Sequence, residues 1–193
     1  MRAKSRWFAK GRTHPPEAAA GVVAVTVWKL ALATIRNMRK ADFEIETGPA
    51  YFDFLREYLV FLIHVLDRYA YMRFDGTGRA AFTTAAARRL AELAAENECE
   101  LLGGDATVLR REFIDLVNAR GADYAVFGFD EKEGPDFGFV RYLGNKLLDI
   151  VPPRDRSWVI DQVMAIEAPD AIRTLKGVFA GLAASSAPAG AVQ

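Results

Sequence analysis

The sequence predicts an all-α fold, an antiparallel bundle of six to seven helices, and three observations carry that prediction. Apolar residues recur every three to four positions through most of the 193-residue chain. Proline, glycine and Asp-led turn signals fall between those periodic segments, not inside them. The pattern breaks only at residues 122–138, "ADYAVFGFDEKEGPDFG", where five acids, four aromatics and four glycines or prolines mark an aromatic-acidic loop or short hairpin.

The elements follow in order. Pro15-Pro16 with Glu17 begins the first helix, because proline suits the first turn and an acid there suits the helix dipole. It is expected to run to about residue 40. Thr47-Gly48-Pro49 begins a second helix, to about residue 74. "DGTG" at 75–78 is a turn. The third helix, about 79–102, carries eight alanines between positions 80 and 95, which favours close helix approach. Gly103-Gly104 ends it, and Asp105 caps a fourth helix to about residue 120, with Gly121 as its stop. A fifth, about 139–150, is ended by Pro152-Pro153. Asp155 or Ser157 begins a sixth, and Pro169-Asp170 begins a seventh that fades near Leu182. Residues 1–14 form a basic N-terminal arm, 15–183 one helical domain, and 184–193 a small-residue tail; arm and tail are both expected to be disordered.

Composition narrows the function classes. Hydrophobic residues make up 51% and charged residues 26%, a globular composition. Basic and acidic residues balance at 25 each, which does not suit a general nucleic-acid or membrane-surface binder. The balance conceals an asymmetry: the arm holds Arg2, Lys4, Arg6, Lys10 and Arg12 and no acid. Arg6 and Lys10 are therefore assigned as contacts for an anionic partner face or a lipid surface. A single cysteine, Cys99, excludes an intrachain disulfide and fits a reducing, cytoplasmic location. Residues 18–35 approach the length of a membrane span, but Lys29 within the run and its many small residues favour a buried soluble helix.

The second helix carries the main chemical candidate. At 100° per residue, Asp53, Arg56, Glu57, Val60, His64, Asp67, Arg68, Tyr71 and Asp75 fall on one stripe, and the rest of the helix is apolar. The stripe either faces water or lines a polar groove. Lys29, Arg36 and Lys40 of the first helix are its expected partners. If the stripe bounds an aromatic-lined pocket, His64 is the acid/base, Asp67 its orienter, Glu57 a second carboxylate and Tyr71 a hydrogen-bond donor. No metal is assigned. The di-metal carboxylate bundles that His64-x-x-Asp67 resembles use Glu-x-x-His on two helices, whereas the only other histidine here is His14, in the arm. No cofactor is identified.

"DFGFVRY" at 136–142 resembles the RNP1 signature of RNA-recognition domains over six positions. That resemblance would imply aromatics stacking on bases, but the upstream region reads as helices and the five nearby acids repel phosphate. Nucleic acid is not assigned. The loop aromatics Phe127, Phe129, Phe137 and Phe139 are instead expected to contact a partner wherever they remain exposed. The leading expectation is a helical interaction or accessory protein that binds a protein partner or self-associates. The alternative is a bundle enzyme or ligand-binding protein using Glu57, His64, Asp67 and Tyr71.

Overall fold

The helical period is realised as α1 (Pro16–Lys40), α2 (Pro49–Tyr71), α3 (Gly76–Leu102), α4 (Ala106–Ala125), α5 (Phe137–Leu148), α6 (Arg156–Gln162) and α7 (Ala168–Ser186). The computed structural model describes residues 15–186. A two-residue hairpin, β1 (Phe129–Asp130) and β2 (Gly134–Pro135), joins α4 to α5, with Phe129 opposite Pro135 and Asp130 opposite Gly134. The Arg6 and Lys10 assignments lie outside the described residues.

Three helix starts carry an aspartate cap: Asp105 is the cap expected from the sequence, whereas Asp75, expected in a turn, and Asp136, expected in the loop, are caps as well. The Asp75 carboxylate accepts the Gly78 N–H at 2.7 Å, Asp105 accepts Thr107 at 2.7 Å, and Asp136 accepts Phe139 at 2.8 Å. Each satisfies a donor that a first helical turn leaves without an internal acceptor. Asp136 also accepts the Gly128 N–H at 2.7 Å, tying the hairpin to the start of α5. α3 ends at Gly103, whose φ of 81° is left-handed backbone that a side chain disfavours.

α2 is the central rod, touching α1, α3, α4, α5 and α7. Its apolar side is sealed: Phe54, Leu55, Tyr58, Leu59, Phe61, Leu62, Ile63, Val65 and Leu66 are all fully buried. Truncating one such leucine to alanine costs about 2–5 kcal/mol. α1 lies mainly along α3, where Ala86, Ala87, Ala91 and Ala94 keep the contact close. By length and composition alone α1 could cross a membrane, a property that core helices share; nine of its residues are buried, including Val23, Val27 and Ile35.

Four expected boundaries are corrected. α3 starts at Gly76, capped by Asp75, so the expected turn is already helix. α4 does not stop at Gly121 but continues to Ala125. Gly121 lies within the helix and lines the cavity, where a Cβ would make ordinary contact with the His64 ring at 3.6 Å. The sixth and seventh helices are joined by a π turn, Val163–Glu167, in which the Ala168 N–H reaches five residues back to the Val163 carbonyl. Pro169, expected to open a new helix, has no N–H to give and sits just after this widened turn. α6, the π turn and α7 form one rod, so six rods pack among the described residues. That rod runs to Ser186, past the residue-184 boundary of the expected tail.

The expected pairing of α1 cations with the α2 acids is also corrected. Glu57 is bound by Arg120 of α4, and Asp67 by Arg79 of α3. Asp53 pairs with Arg56, its own neighbour on α2. The α2 stripe faces α3 and α4, while α1 packs mainly on α3, which leaves its basic residues on another side of the bundle.

Candidate functional site

The lower half of the α2 stripe, His64 to Arg68, bounds a cavity of about 340 Å³ between α2, α3 and α4. α3 contributes Arg79 and Thr83, and α4 contributes Asn118, Gly121 and Tyr124. The sequence places His64 and Asp67 correctly on one face; the structure shows that the face turns inward.

Asp67 is held rigidly. Arg79 Nε donates to Oδ1 at 2.9 Å, Arg79 Nη2 donates to Oδ2, and Thr83 Oγ1 donates to Oδ1 at 2.9 Å. Burial pushes this carboxyl up, but the hydrogen bonds from Arg79 and Thr83 outweigh it and hold the group below the usual carboxylate range. Asp67 is thus an anion bound to α3 rather than an orienter of His64.

His64 is anchored separately. Its Nε2 lies 3.2 Å from the Val117 carbonyl, which fixes that nitrogen as the protonated donor of the neutral ring. Burial lowers its pKa from the ordinary 6.5 despite the opposing effects of the Val117 carbonyl and Asp67, so the imidazole is neutral at pH 7. Nδ1 therefore carries the ring's lone pair and has no hydrogen-bond partner among the described residues. The polar side-chain atoms sealed from solvent without a partner there are the Tyr69 and Tyr124 hydroxyls. Nδ1 is not one of them, and the ring that carries it lines the cavity.

Arg68 closes the end of α4. Its Nη2 donates to the carbonyls of Tyr124 at 3.0 Å, Ala125 at 3.3 Å and Phe127 at 3.3 Å. The Tyr124 carbonyl also accepts the Phe127 N–H at 3.3 Å, and a cation at this C-terminal end complements the helix dipole. Tyr124 forms one wall, its ring 4.8 Å from that of His64 and 4.5 Å from that of Phe139. Burial, with Glu57 nearby, raises the Tyr124 phenol well above its ordinary value.

The upper half of the stripe is structural. Arg120 donates to Glu57 from Nε at 3.2 and 3.1 Å and from Nη2 at 2.5 Å. Arg56 bridges Asp53 at 3.2 Å and Glu98 of α3. Glu57 does not line the His64 cavity; it borders a second hollow, of about 340 Å³, with Asp53, Arg56 and Glu112.

Tyr71 is corrected as a site residue. It is 67% exposed, beyond the last turn that packs, and its ring lies under the Arg79 guanidinium at 5.1 Å instead of entering the cavity. Among the expected partner contacts, Phe139 is fully buried against Phe61 and Tyr124, so it belongs to the core. Phe127 and Phe129 are half-buried, and Phe137 is 68% exposed. Val126, which sequence reading passed over, is 78% exposed on the other side of the hairpin.

Arg79, Thr83, Asn118, Arg120 and Tyr124 were missed as site residues. The available signal was indirect: three acids on one helical stripe require donors, and Arg79 and Arg120 stand on the faces of neighbouring helices. Among the described residues, no cluster of His, Cys, Asp and Glu is placed to hold a metal ion. No protein-family model matches the chain, and no curated protein or solved structure matches it.

Proposed function

We propose that this protein binds a small polar molecule in the cavity between α2, α3 and α4, with His64 as its central acceptor. One observation carries the reading: the Val117 carbonyl fixes the Nε2 proton of His64, which leaves Nδ1 as the acceptor of a ring that lines a cavity of about 340 Å³. A neutral histidine with one nitrogen anchored and the other open is suited to accept a hydrogen bond or a proton from a bound molecule. Asp67, Arg79 and Thr83 form the fixed wall beside it. The test is a ligand-observed NMR screen of a broad set of small polar molecules against the parent and Asn118→Trp. Asn118 is exposed at the rim, so the indole blocks the cavity without entering the core. Compounds held by the parent and released by Asn118→Trp support the reading. A screen in which the two proteins behave alike refutes it.

A second reading rests on a different observation. Val126 and Phe137 flank the hairpin at 78% and 68% exposure, and large apolar side chains left open beside an ordered turn favour a protein contact. We propose that these exposed side chains support self-association or capture of a protein partner in the cytoplasm. Native mass spectrometry across a hundredfold range of concentration tests the self-association. A dimer that Phe137→Asp dissolves supports it, and a monomer at every concentration removes it.

A further inference from the structure

The donors and acceptors that remain unused around the cavity define what it can hold. Arg68 commits only Nη2 to the end of α4, so among the described residues its Nε–H and Nη1 donors have no protein acceptor. Arg79 commits Nε and Nη2 to Asp67, which leaves Nη1. Asn118 adds an exposed amide at the rim. Against these donors stand two open acceptors among the described residues, His64 Nδ1 and the Asn118 Oδ1 at the rim. The charges sum in the same direction. Asp67 cancels Arg79, His64 is neutral, and Arg68 remains. The negative end of α4 offsets roughly half of that charge, and the cavity stays net positive.

Spacing adds a second constraint. His64 and Arg68 are four residues apart on α2, so they lie one turn apart on the same face, with Cβ atoms about 5–6 Å from each other. A ligand that engages both must place its charged oxygens and its donor only a few bonds apart.

We propose that the cavity's ligand is a small oxyanion carrying a hydroxyl or ammonium donor a few bonds from its charge, the oxyanion held by Arg68 and Arg79 and the donor by His64 Nδ1. This rests on the cavity reading above and names its chemistry. A volume of about 340 Å³ has room for roughly a dozen non-hydrogen atoms at the ~30 Å³ that a liquid water occupies. That admits hydroxycarboxylates and sugar-sized phosphates and excludes nucleotides from full enclosure.

The experiment is calorimetric titration of the full chain with six probes. Malate and succinate differ by one hydroxyl; 2-hydroxyethyl phosphate and ethyl phosphate repeat the comparison for phosphate; choline and glucose supply a cation and a neutral polyol. Malate or 2-hydroxyethyl phosphate is expected to bind about tenfold more tightly than its partner lacking the hydroxyl, the scale of one hydrogen bond to the site. His64→Ala is expected to abolish that difference, and Arg68→Gln to weaken both members of the pair by about tenfold. Whichever pair binds distinguishes carboxylate from phosphate.

Equal binding of malate and succinate, and of the two phosphates, overturns the donor assignment. Binding of choline or glucose with no binding of the four anions overturns the oxyanion while the cavity reading stands. Anion binding unchanged in Asn118→Trp and Arg68→Gln places the anions elsewhere on the chain and overturns the inference. If none of the six is held, the inference falls, and the broad screen alone then decides the cavity reading.

Discussion

Replacing Arg120 with methionine keeps most of the side-chain volume and leaves the Glu57 carboxylate without its partner. The Glu57 side chain is 9% exposed and that of Arg120 21%, and three N–H···O contacts of 3.2, 3.1 and 2.5 Å join them. Two unit charges about 4 Å apart attract by roughly 4 kcal/mol at the effective dielectric of 20 that suits such sites. Desolvation consumes much of that in the intact pair, so the pair itself contributes little net stability. An orphaned buried charge is different: removing one partner costs about 3–5 kcal/mol where both are buried. The partial exposure of Arg120 lets some water reach the carboxylate, which places Arg120→Met near 2–4 kcal/mol. Glu57→Met/Arg120→Met removes both charges and is expected to lie within about 1 kcal/mol of the parent. Urea unfolding of the parent, both single variants and the double variant measures the coupling directly. Arg120→Met costing under 0.5 kcal/mol, with the two single effects adding in the double variant, would refute the reasoning. Glu57 would then be solvated by water and not held by Arg120.

Three further outcomes are expected. The depressed His64 pKa means that the folded state favours the neutral ring, so its contribution to stability is complete above the unfolded value of 6.5 and is lost as pH falls through the folded pKa; the loss below pH 6.5 should disappear in His64→Gln, as followed by urea midpoints at stepped pH. Glu167 runs the opposite way: burial raises its carboxyl above 4.5 despite hydrogen bonds from Gln162 and Asn37. Its stabilising contribution is complete below 4.5 and is lost as pH rises through the folded value, so Glu167→Gln should be more stable than the parent at pH 7, with the gap closing near pH 4. Gly138→Ala places a methyl 2.7 Å from Phe127 Cδ1, closer than such carbons pack. It should cost about 1–3 kcal/mol by thermal unfolding and shift the Phe127 ring resonances.

The predicted architecture survives because it depends on local rules that a chain carries with it. The 3.6-residue period, the Asp75, Asp105 and Asp136 caps and the acidic-aromatic break at 122–138 act within a few residues, and the six packed rods follow from them. Boundaries failed where tertiary packing overrode a local signal. Gly121 reads as a helix stop, yet α4 continues through it to Ala125 beside α2 and α3; Pro169 reads as a helix start, yet a π turn absorbs it in a continuing rod.

The candidate site was legible only in part. The wheel of α2 places Asp53, Glu57, His64, Asp67 and Arg68 on one stripe from sequence alone, because side-chain direction on a helix is a matter of angle. Whether that stripe meets water or protein depends on which neighbours cover it, and Arg79 and Arg120 stand 12 and 63 residues from the carboxylates they bind. Lys29, Arg36 and Lys40 were the expected partners because they line one narrow polar strip of α1, which an antiparallel hairpin would set against α2. Tyr71 shares the stripe but passes the point where α3 and α4 cover it, so it is exposed while Tyr124, from another helix, forms the wall. The sequence by itself determined the helices, their caps and the angular placement of the polar residues, since each is set by interactions within a few positions. Only the tertiary structure decided that the stripe encloses a cavity, which arginine answers which acid, and which nitrogen of His64 is open, because those are outcomes of packing between segments far apart in the chain.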